Sequence, residues 1–288
     1  MTDFKTHPLV SSQWLADNLQ APDLRVVDAS YYLPGEGLDA REEYALQHIP
    51  GAVFFDIDDI ADSASPLPHM LPPPHKFSSR VRKLGLGDGL RFVIYDQRGL
   101  FSAPRVWWTF RYFGHEDVAV LDGGLPKWLN EDHPVEQRPA EPGERHFSAR
   151  ANSFLLRDKE QVRANLTSGR EQVLDARAKG RFDGREPEPR EGLRGGHIPG
   201  SLSLPFTDLL DRESQTMRAP EALRESFEAA GLDMARPVIT TCGSGVTAAV
   251  LALGLHLAGH RQVSVYDGSW SEWGLPGDTP VEAASDTD

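Results

Sequence analysis

The two halves of this sequence are related to each other, and this internal duplication limits the possible fold more than any other feature. The tetrapeptide His-Ile-Pro-Gly occurs at residues 48–51 and again at residues 197–200. Residues 93–128 align without a gap on residues 238–273, at an offset of 145 positions. Matches in the same order at nearly constant spacing predict two homologous domains, one in each half of the chain.

In both halves, short apolar runs rich in β-branched residues alternate with stretches of helical character. The runs predicted as strands are 24–27, 92–95, 118–121, 172–174, 238–241 and 263–266. The predicted helices are 12–18, 103–113, 159–165, 220–230 and 247–258. Strands that alternate with helices favour an α/β fold, so each domain is predicted to be a parallel sheet flanked by helices on both faces.

A change of composition marks the joint between the halves. Residues 130–153 are rich in Glu, Pro and Arg and show no hydrophobic period. We therefore predict a first domain over residues 1–138, a linker over 139–157 and a second domain over 158–288.

Charge and composition exclude several classes of partner. The net charge of −13 disfavours binding to nucleic acid or to an anionic membrane, and an anionic substrate would need a local basic patch. No stretch approaches the roughly 18 apolar residues of a membrane span. The first residues also lack the apolar core of a secretory leader, so the sequence predicts a cytoplasmic protein.

The chain has a single cysteine, Cys242, which excludes an intrachain disulfide and any CxxC metal or redox motif. It follows a predicted strand and precedes a loop of small residues that leads into a predicted helix. Backbone N–H groups of such a loop and the positive end of the helix dipole favour a thiolate, so Cys242 is a candidate nucleophile. The alternative is a buried structural cysteine, although packing alone would not need the two glycines of the loop. The candidate binding residues of this loop are Gly243, Gly245, Val246 and Thr247, whose region points backbone N–H groups at the sulfur of Cys242.

The first half lacks a thiol at the corresponding position. In the gapless alignment Gln97 stands where the second half has Cys242. The first domain is therefore expected to be a catalytically inert copy. His48 and His197 occur in both halves, the inert one included, so we expect them to stabilise turns.

Three features together resemble the tandem rhodanese-type sulfurtransferases. They are the His-Ile-Pro-Gly turn, the Asp-Gly-Gly or Asp-Gly-Ser ahead of a Trp, and the Cys-x-x-Gly-Val-Thr loop. Members that use thiosulfate carry basic residues after the cysteine, whereas those that use 3-mercaptopyruvate carry Cys-Gly-Ser-Gly-Val-Thr-Ala, the sequence at 242–248. The resemblance implies transfer of sulfur from 3-mercaptopyruvate through a Cys242 persulfide to a thiol or cyanide, with release of pyruvate.

The resemblance also implies further site residues. Arg181 and Arg190 match the two family arginines that hold the substrate carboxylate and keto oxygen, although a solvated charged loop is the alternative. Asp58, His69 and Ser244 match a proposed relay that assists proton transfer. His69 lies in a proline-rich segment, so a structural role is its alternative.

Other functions remain open at this point. A thiosulfate:cyanide sulfurtransferase would differ only in its sulfur donor, and a non-catalytic sulfur carrier or binding module is a more distant alternative. A phosphatase is disfavoured, because the phosphate-binding arginine expected six residues after the cysteine is Ala248.

No metal or organic cofactor is implied. The expected partners are 3-mercaptopyruvate as donor and a small thiol, cyanide or a reduced dithiol protein such as thioredoxin as acceptor.

Overall fold

A computed structural model of the protein describes residues 3–284, which form two compact units. Unit 1 comprises residues 3–64, 71–152 and 211–217; unit 2 comprises 65–70, 153–210 and 218–284. The predicted linker begins at residue 139, but the chain up to residue 152 packs with unit 1. Phe147 is buried there, and its carbonyl accepts a hydrogen bond from the Ser78 hydroxyl at 2.6 Å.

Unit 1 is built on a parallel sheet with the strand order β1-β5-β4-β2-β3. Its strands are β1 (Leu9–Val10), β2 (Leu24–Asp28), β3 (Val53–Phe54), β4 (Arg91–Tyr95) and β5 (Val118–Leu121). Its helices are α1 (Ser12–Asn18), α2 (Ala40–Leu46), α3 (Pro74–Lys83), α4 (Ala103–Tyr112) and α5 (Gly124–Asn130).

Unit 2 repeats this topology with the order β6-β10-β9-β7-β8, again with parallel pairs. Its strands are β6 (Leu156–Arg157), β7 (Gln172–Asp175), β8 (Leu202–Ser203), β9 (Val238–Thr241) and β10 (Val263–Tyr266). Its helices are α6 (Lys159–Ser168), α7 (Lys179–Phe182), α8 (Pro220–Ala229), α9 (Ala248–Leu257) and α10 (Ser269–Trp273). The predicted fold of two homologous α/β domains with parallel sheets is confirmed, and the short outer strands are additions to it.

The central strands are rich in Val, Ile, Leu and aromatic residues, and most of their residues are buried. All four residues of β5 and of β9 are buried, as expected for parallel strands covered by helices. In each sheet the carboxyl ends of neighbouring strands lie at the same edge. Side chains that follow β7 and β9 are therefore close together although they are far apart in sequence.

Helix α9 fixes the position of the loop that carries Cys242. Its sequence is Ala-Ala-Val-Leu-Ala-Leu-Gly-Leu-His-Leu, and nine of its ten residues are buried. Gly254 permits this burial, because a Cβ at that position would lie only 2.9 Å from Leu209 Cδ1. A helix packed on all sides holds its N-terminus rigidly, and that end faces the loop. Within residues 3–284, no helix is long and apolar enough to cross a membrane.

Candidate active site around Cys242

Cys242 is the first residue after β9, and its loop is anchored to the start of α10. Cys242 is 2 % exposed. Its carbonyl accepts the Trp270 N–H at 2.9 Å, and the Gly243 carbonyl accepts both the N–H and the hydroxyl of Ser271 at 2.7 Å. Because the N–H of a trans peptide points opposite to its carbonyl, the N–H groups of Gly243 and Ser244 point away from α10. This is the orientation that a loop for binding an anion requires.

Ser269 is a site residue that the sequence reasoning missed. Its hydroxyl donates to the Tyr266 carbonyl at 2.8 Å and accepts the Cys242 N–H at 3.2 Å. Its backbone has a φ of 48°, in the left-handed region that costs a non-glycine residue free energy. The signal was present in the sequence, since Ser269 follows the Asp-Gly pair that also occurs in the first half.

The structure brings together two residues of the predicted proton relay. His69 Nδ1 lies 3.0 Å from the Ser244 hydroxyl, and both side chains are buried. Segment 65–70 packs with unit 2, so the pair forms within that unit. His69 has a φ of 61°, a strained conformation that the surrounding contacts must maintain. Asp58 lies in unit 1, exposed in the turn after β3, and stays a predicted member of the relay.

Arg181 reaches the loop from the neighbouring strand. It lies in α7, which follows β7, and β7 pairs with β9. A Cβ on Gly243 would lie 3.1 Å from Arg181 Nη2, so the guanidinium lies beside the residue that follows Cys242. Because Gly243 has no side chain, the guanidinium of Arg181 can lie at this place. A basic side chain at position 243 would crowd it. Arg190 is half-buried in the segment between α7 and β8, and its contact with substrate stays a prediction.

Arg181 is the last of four charged side chains that contact one another in a row, and it is the only one of the four that the sequence reasoning placed in the site. Arg177 donates from Nε and Nη2 to the Asp175 carboxylate and from Nη1 to Glu188 Oε1 at 2.6 Å. It also stacks on Trp270, with its guanidinium carbon 4.2 Å from the ring centre. Glu188 Oε2 then accepts Nε and Nη2 of Arg181, Nε at 3.1 Å. Burial opposes the charge of Arg177, but Asp175 and Glu188 outweigh it and raise the pKa of the guanidinium.

The strand pairing corrects the position that corresponds to Cys242 in the first half. The last residue of β2 is opposite Tyr95, and the last residue of β7 is opposite Thr241. Asp96, and not Gln97, is therefore the counterpart of Cys242. The loop between strand and helix has seven residues in unit 1 and six in unit 2, so a gapless sequence alignment passes out of register there.

Asp96 occupies the loop of unit 1 with its own carboxylate. Oδ2 accepts the N–H groups of Phe101, Ser102 and Ala103 at 2.8–2.9 Å, and Oδ1 accepts the N–H of Arg98 at 2.9 Å. These amides belong to the loop and to the first turn of α4, where the helix dipole favours an anion. A fixed carboxylate thus takes the place that a reactive sulfur would need, which supports the prediction that this copy is inert.

The histidines of the repeated turns stabilise those turns, as predicted. His48 Nδ1 lies 2.7 Å from the Tyr44 carbonyl and its ring stacks on Tyr44. His197 Nδ1 lies 2.9 Å from the Phe182 carbonyl and its ring stacks on Phe182. Among residues 3–284, no cluster of three or more His, Cys, Asp or Glu side chains is arranged to hold a metal ion.

The order of strands, the loop after β9 and the repeat agree with one known family. The rhodanese-like domain matches twice, at residues 11–131 and 158–275. The chain belongs to the rhodanese family. Both matches lie within the predicted domains, and the second includes the Cys242 loop, so the rhodanese fold with its tandem arrangement is established.

Curated relatives of this rhodanese protein include enzymes for two sulfur donors. The human 3-mercaptopyruvate sulfurtransferase is 48 % identical over 271 residues, which cover 92 % of this chain and 91 % of that protein. The bovine thiosulfate sulfurtransferase is also 48 % identical, over 272 residues with the same coverage. The crystal structure of SseA from Escherichia coli, a 3-mercaptopyruvate sulfotransferase, superposes with a TM-score of 0.84 at 39 % identity and covers 92 % of this chain and 99 % of its own. Overall sequence identity therefore does not show which of the two donors this chain uses. That distinction must come from the residues of the Cys242 loop.

Proposed function

We propose that this rhodanese protein takes sulfur from 3-mercaptopyruvate, carries it as a persulfide on Cys242 and passes it to a thiol or cyanide, releasing pyruvate. The observation that carries the proposal is the loop itself. Gly243 and Ser244 are neutral, and the guanidinium of Arg181 lies beside Gly243. An arginine at that place suits a planar carboxylate three bonds from the reacting sulfur.

In the first half-reaction the Cys242 thiolate attacks the sulfur of the donor. A sulfur–sulfur bond forms, the carbon–sulfur bond breaks, and its electron pair stays on carbon 3 as the enolate of pyruvate. The donor loses one thiol proton and carbon 3 gains one, so a group that accepts and returns a single proton balances the step. The buried pair of Ser244 and His69 is suited to that transfer.

In the second half-reaction an acceptor attacks the outer sulfur of the persulfide. The bond between the two sulfurs breaks, and its electron pair restores the Cys242 thiolate. Cyanide is converted to thiocyanate, and a thiol is converted to a persulfide. The backbone N–H groups of the loop and the N-terminus of α9 stabilise the negative outer sulfur until the acceptor arrives. Because the intermediate is covalent, ping-pong kinetics are expected. Thioredoxin as the natural dithiol acceptor, and a cytoplasmic location, stay predictions from the sequence.

The test is a comparison of initial rates with 3-mercaptopyruvate and with thiosulfate, with cyanide as acceptor and thiocyanate as the product measured. We expect a strong preference for 3-mercaptopyruvate and no turnover by Cys242→Ser. Turnover at the wild-type rate by that variant would overturn the persulfide mechanism.

The second candidate, a thiosulfate:cyanide sulfurtransferase, is favoured by the equal identity to the bovine thiosulfate enzyme. A faster rate with thiosulfate in the same assay would establish it, and would show that the charge of the loop does not select the donor.

A further inference from the structure

Glu188 is an acidic side chain that contacts Arg181, and it is almost completely buried. Its side chain is 3 % exposed, whereas that of Arg181 is 19 % exposed. Glu188 accepts Nε and Nη2, the side edge of the guanidinium. These two hydrogen bonds fix the plane of the Arg181 guanidinium. Its other edge, formed by the N–H groups of Nη1 and Nη2, can then donate to another anion. Nη2 is also the atom nearest to Gly243.

The opposite side of Glu188 is held just as firmly. Its Oε1 accepts Arg177 Nη1, and Arg177 is itself held by Asp175, by the Gly196 carbonyl and by the face of Trp270. The side chains of Arg177 and Asp175 are each 1 % exposed. Glu188 therefore cannot follow Arg181 if that side chain moves, and it acts as a fixed anchor.

The charges of this group cancel. Arg177 and Arg181 supply two positive charges, and Asp175 and Glu188 supply two negative charges. A donor that approaches Arg181 therefore meets an oriented pair of N–H donors whose positive charge is offset by Glu188. Such a site suits a monoanionic carboxylate, because directed hydrogen bonds hold it. It suits a dianion less, since a dianion gains more from net positive charge.

We infer that Glu188 is a specificity-determining residue, which orients Arg181 and offsets its charge so that the site prefers a monoanionic keto acid to a dianionic donor such as thiosulfate. This inference rests on the proposed function, in which Arg181 holds the donor carboxylate. In this inference the buried Glu188 determines which of the two donors named for the relatives is preferred.

The decisive variant is Glu188→Gln, which keeps the shape and removes one negative charge. The added positive charge attracts a dianion about twice as strongly as a monoanion. We expect the ratio of kcat/KM for 3-mercaptopyruvate to kcat/KM for thiosulfate to fall about tenfold. Loss of a purely structural contact would lower both rates alike and leave the ratio unchanged, and that result would overturn the inference.

Two further variants separate charge from orientation. Glu188→Asp keeps the charge but is one methylene shorter, so it should raise KM for 3-mercaptopyruvate severalfold without any gain in the thiosulfate rate. Glu186→Gln is the matched control, because it removes one negative charge from an exposed position of the same segment. Its donor ratio should equal that of the wild type. If Glu186→Gln shifts the ratio as Glu188→Gln does, general surface charge is the cause and the inference fails.

Arg181→Lys distinguishes failure of this inference from failure of the proposed function. If Arg181→Lys leaves KM for 3-mercaptopyruvate unchanged, Arg181 does not hold the donor and the substrate half of the proposed function fails. If it raises KM while Glu188→Gln keeps the wild-type ratio, only the role of Glu188 is refuted. Thermal unfolding of each variant verifies that the compared proteins are folded.

Discussion

Asp96 provides the strongest test of how the loops of this fold hold an anion. The residue is completely buried, and its two carboxylate oxygens accept four backbone N–H groups. The variant Asp96→Asn keeps one oxygen in the loop and replaces the other with an NH₂ group. That NH₂ would face the N–H of Arg98, which is also a donor, so one hydrogen bond is lost and replaced by a repulsive contact.

The expected cost follows from these bonds. Hydrogen bonds to an ionised acceptor contribute about 1 kcal/mol more than neutral ones, so three retained bonds lose about 3 kcal/mol and the lost bond adds about 1 kcal/mol. Removal of a buried charge offsets about 2 kcal/mol of this cost. The net loss is about 2 kcal/mol in the free energy of unfolding of unit 1. This corresponds to a fall of about 4–8 °C in its unfolding temperature.

The measurement is calorimetric unfolding of the wild type and of Asp96→Asn. Asp39→Asn is the control, because Asp39 is an exposed cap that accepts the N–H groups of Arg41 and Glu42 at the start of α2. Asparagine caps a helix as well as aspartate does, so the control should unfold with the wild type. An Asp96→Asn protein that is as stable as the wild type would refute the argument that the loop depends on an internal anion.

Two more predictions concern proton binding and proton transfer. Burial raises the pKa of Asp28 to about 6 from 3.8, so its contribution to stability is full below pH about 4 and is lost as the pH rises through about 6. Between pH 5 and 7.5 the wild type should therefore lose about 1 kcal/mol more of unfolding free energy, measured with urea, than Asp28→Asn does; equal losses would contradict the assignment. Ser244→Ala should slow pyruvate release in a single turnover about 100-fold while cyanide discharges a preformed persulfide at the normal rate, because only the first half-reaction needs the proton. Equal slowing of both half-reactions would argue against a proton-transfer role for Ser244.

The fold could be predicted from the sequence because the apolar runs mark the buried strands. The duplication shows that the same order of strands and helices occurs twice. The outer strands were missed because each is only two residues long, too short for any hydrophobic period. Helix α3 was missed because Pro72 and Pro73 precede it, although Pro74 at its first position is compatible with a helix.

The site was predicted only in part, and the reason is physical. Cys242 and its loop are local in sequence, so the strand–loop–helix pattern reveals them. Glu188 lies among several exposed charged residues, and nothing in its spacing distinguishes the acid that is buried between two arginines. The counterpart of Cys242 was misplaced by one residue, because register is set by hydrogen bonds between strands that sequence alignment does not contain.

Asp96 and Cys242 occupy corresponding positions in the two units. This correspondence has a consequence for the second unit with and without bound sulfur. A folded state that holds an anion better than the unfolded chain does is stabilised by that anion. In unit 1 the anion is built into the polypeptide and is always present. Under the proposed function, the matching anion in unit 2 is the sulfur of Cys242, first as the thiolate and then as the outer sulfur of the persulfide that the donor delivers. The transferred sulfur of that proposal would then also stabilise the loop that holds it, and loading Cys242 with sulfur should raise the unfolding temperature of unit 2.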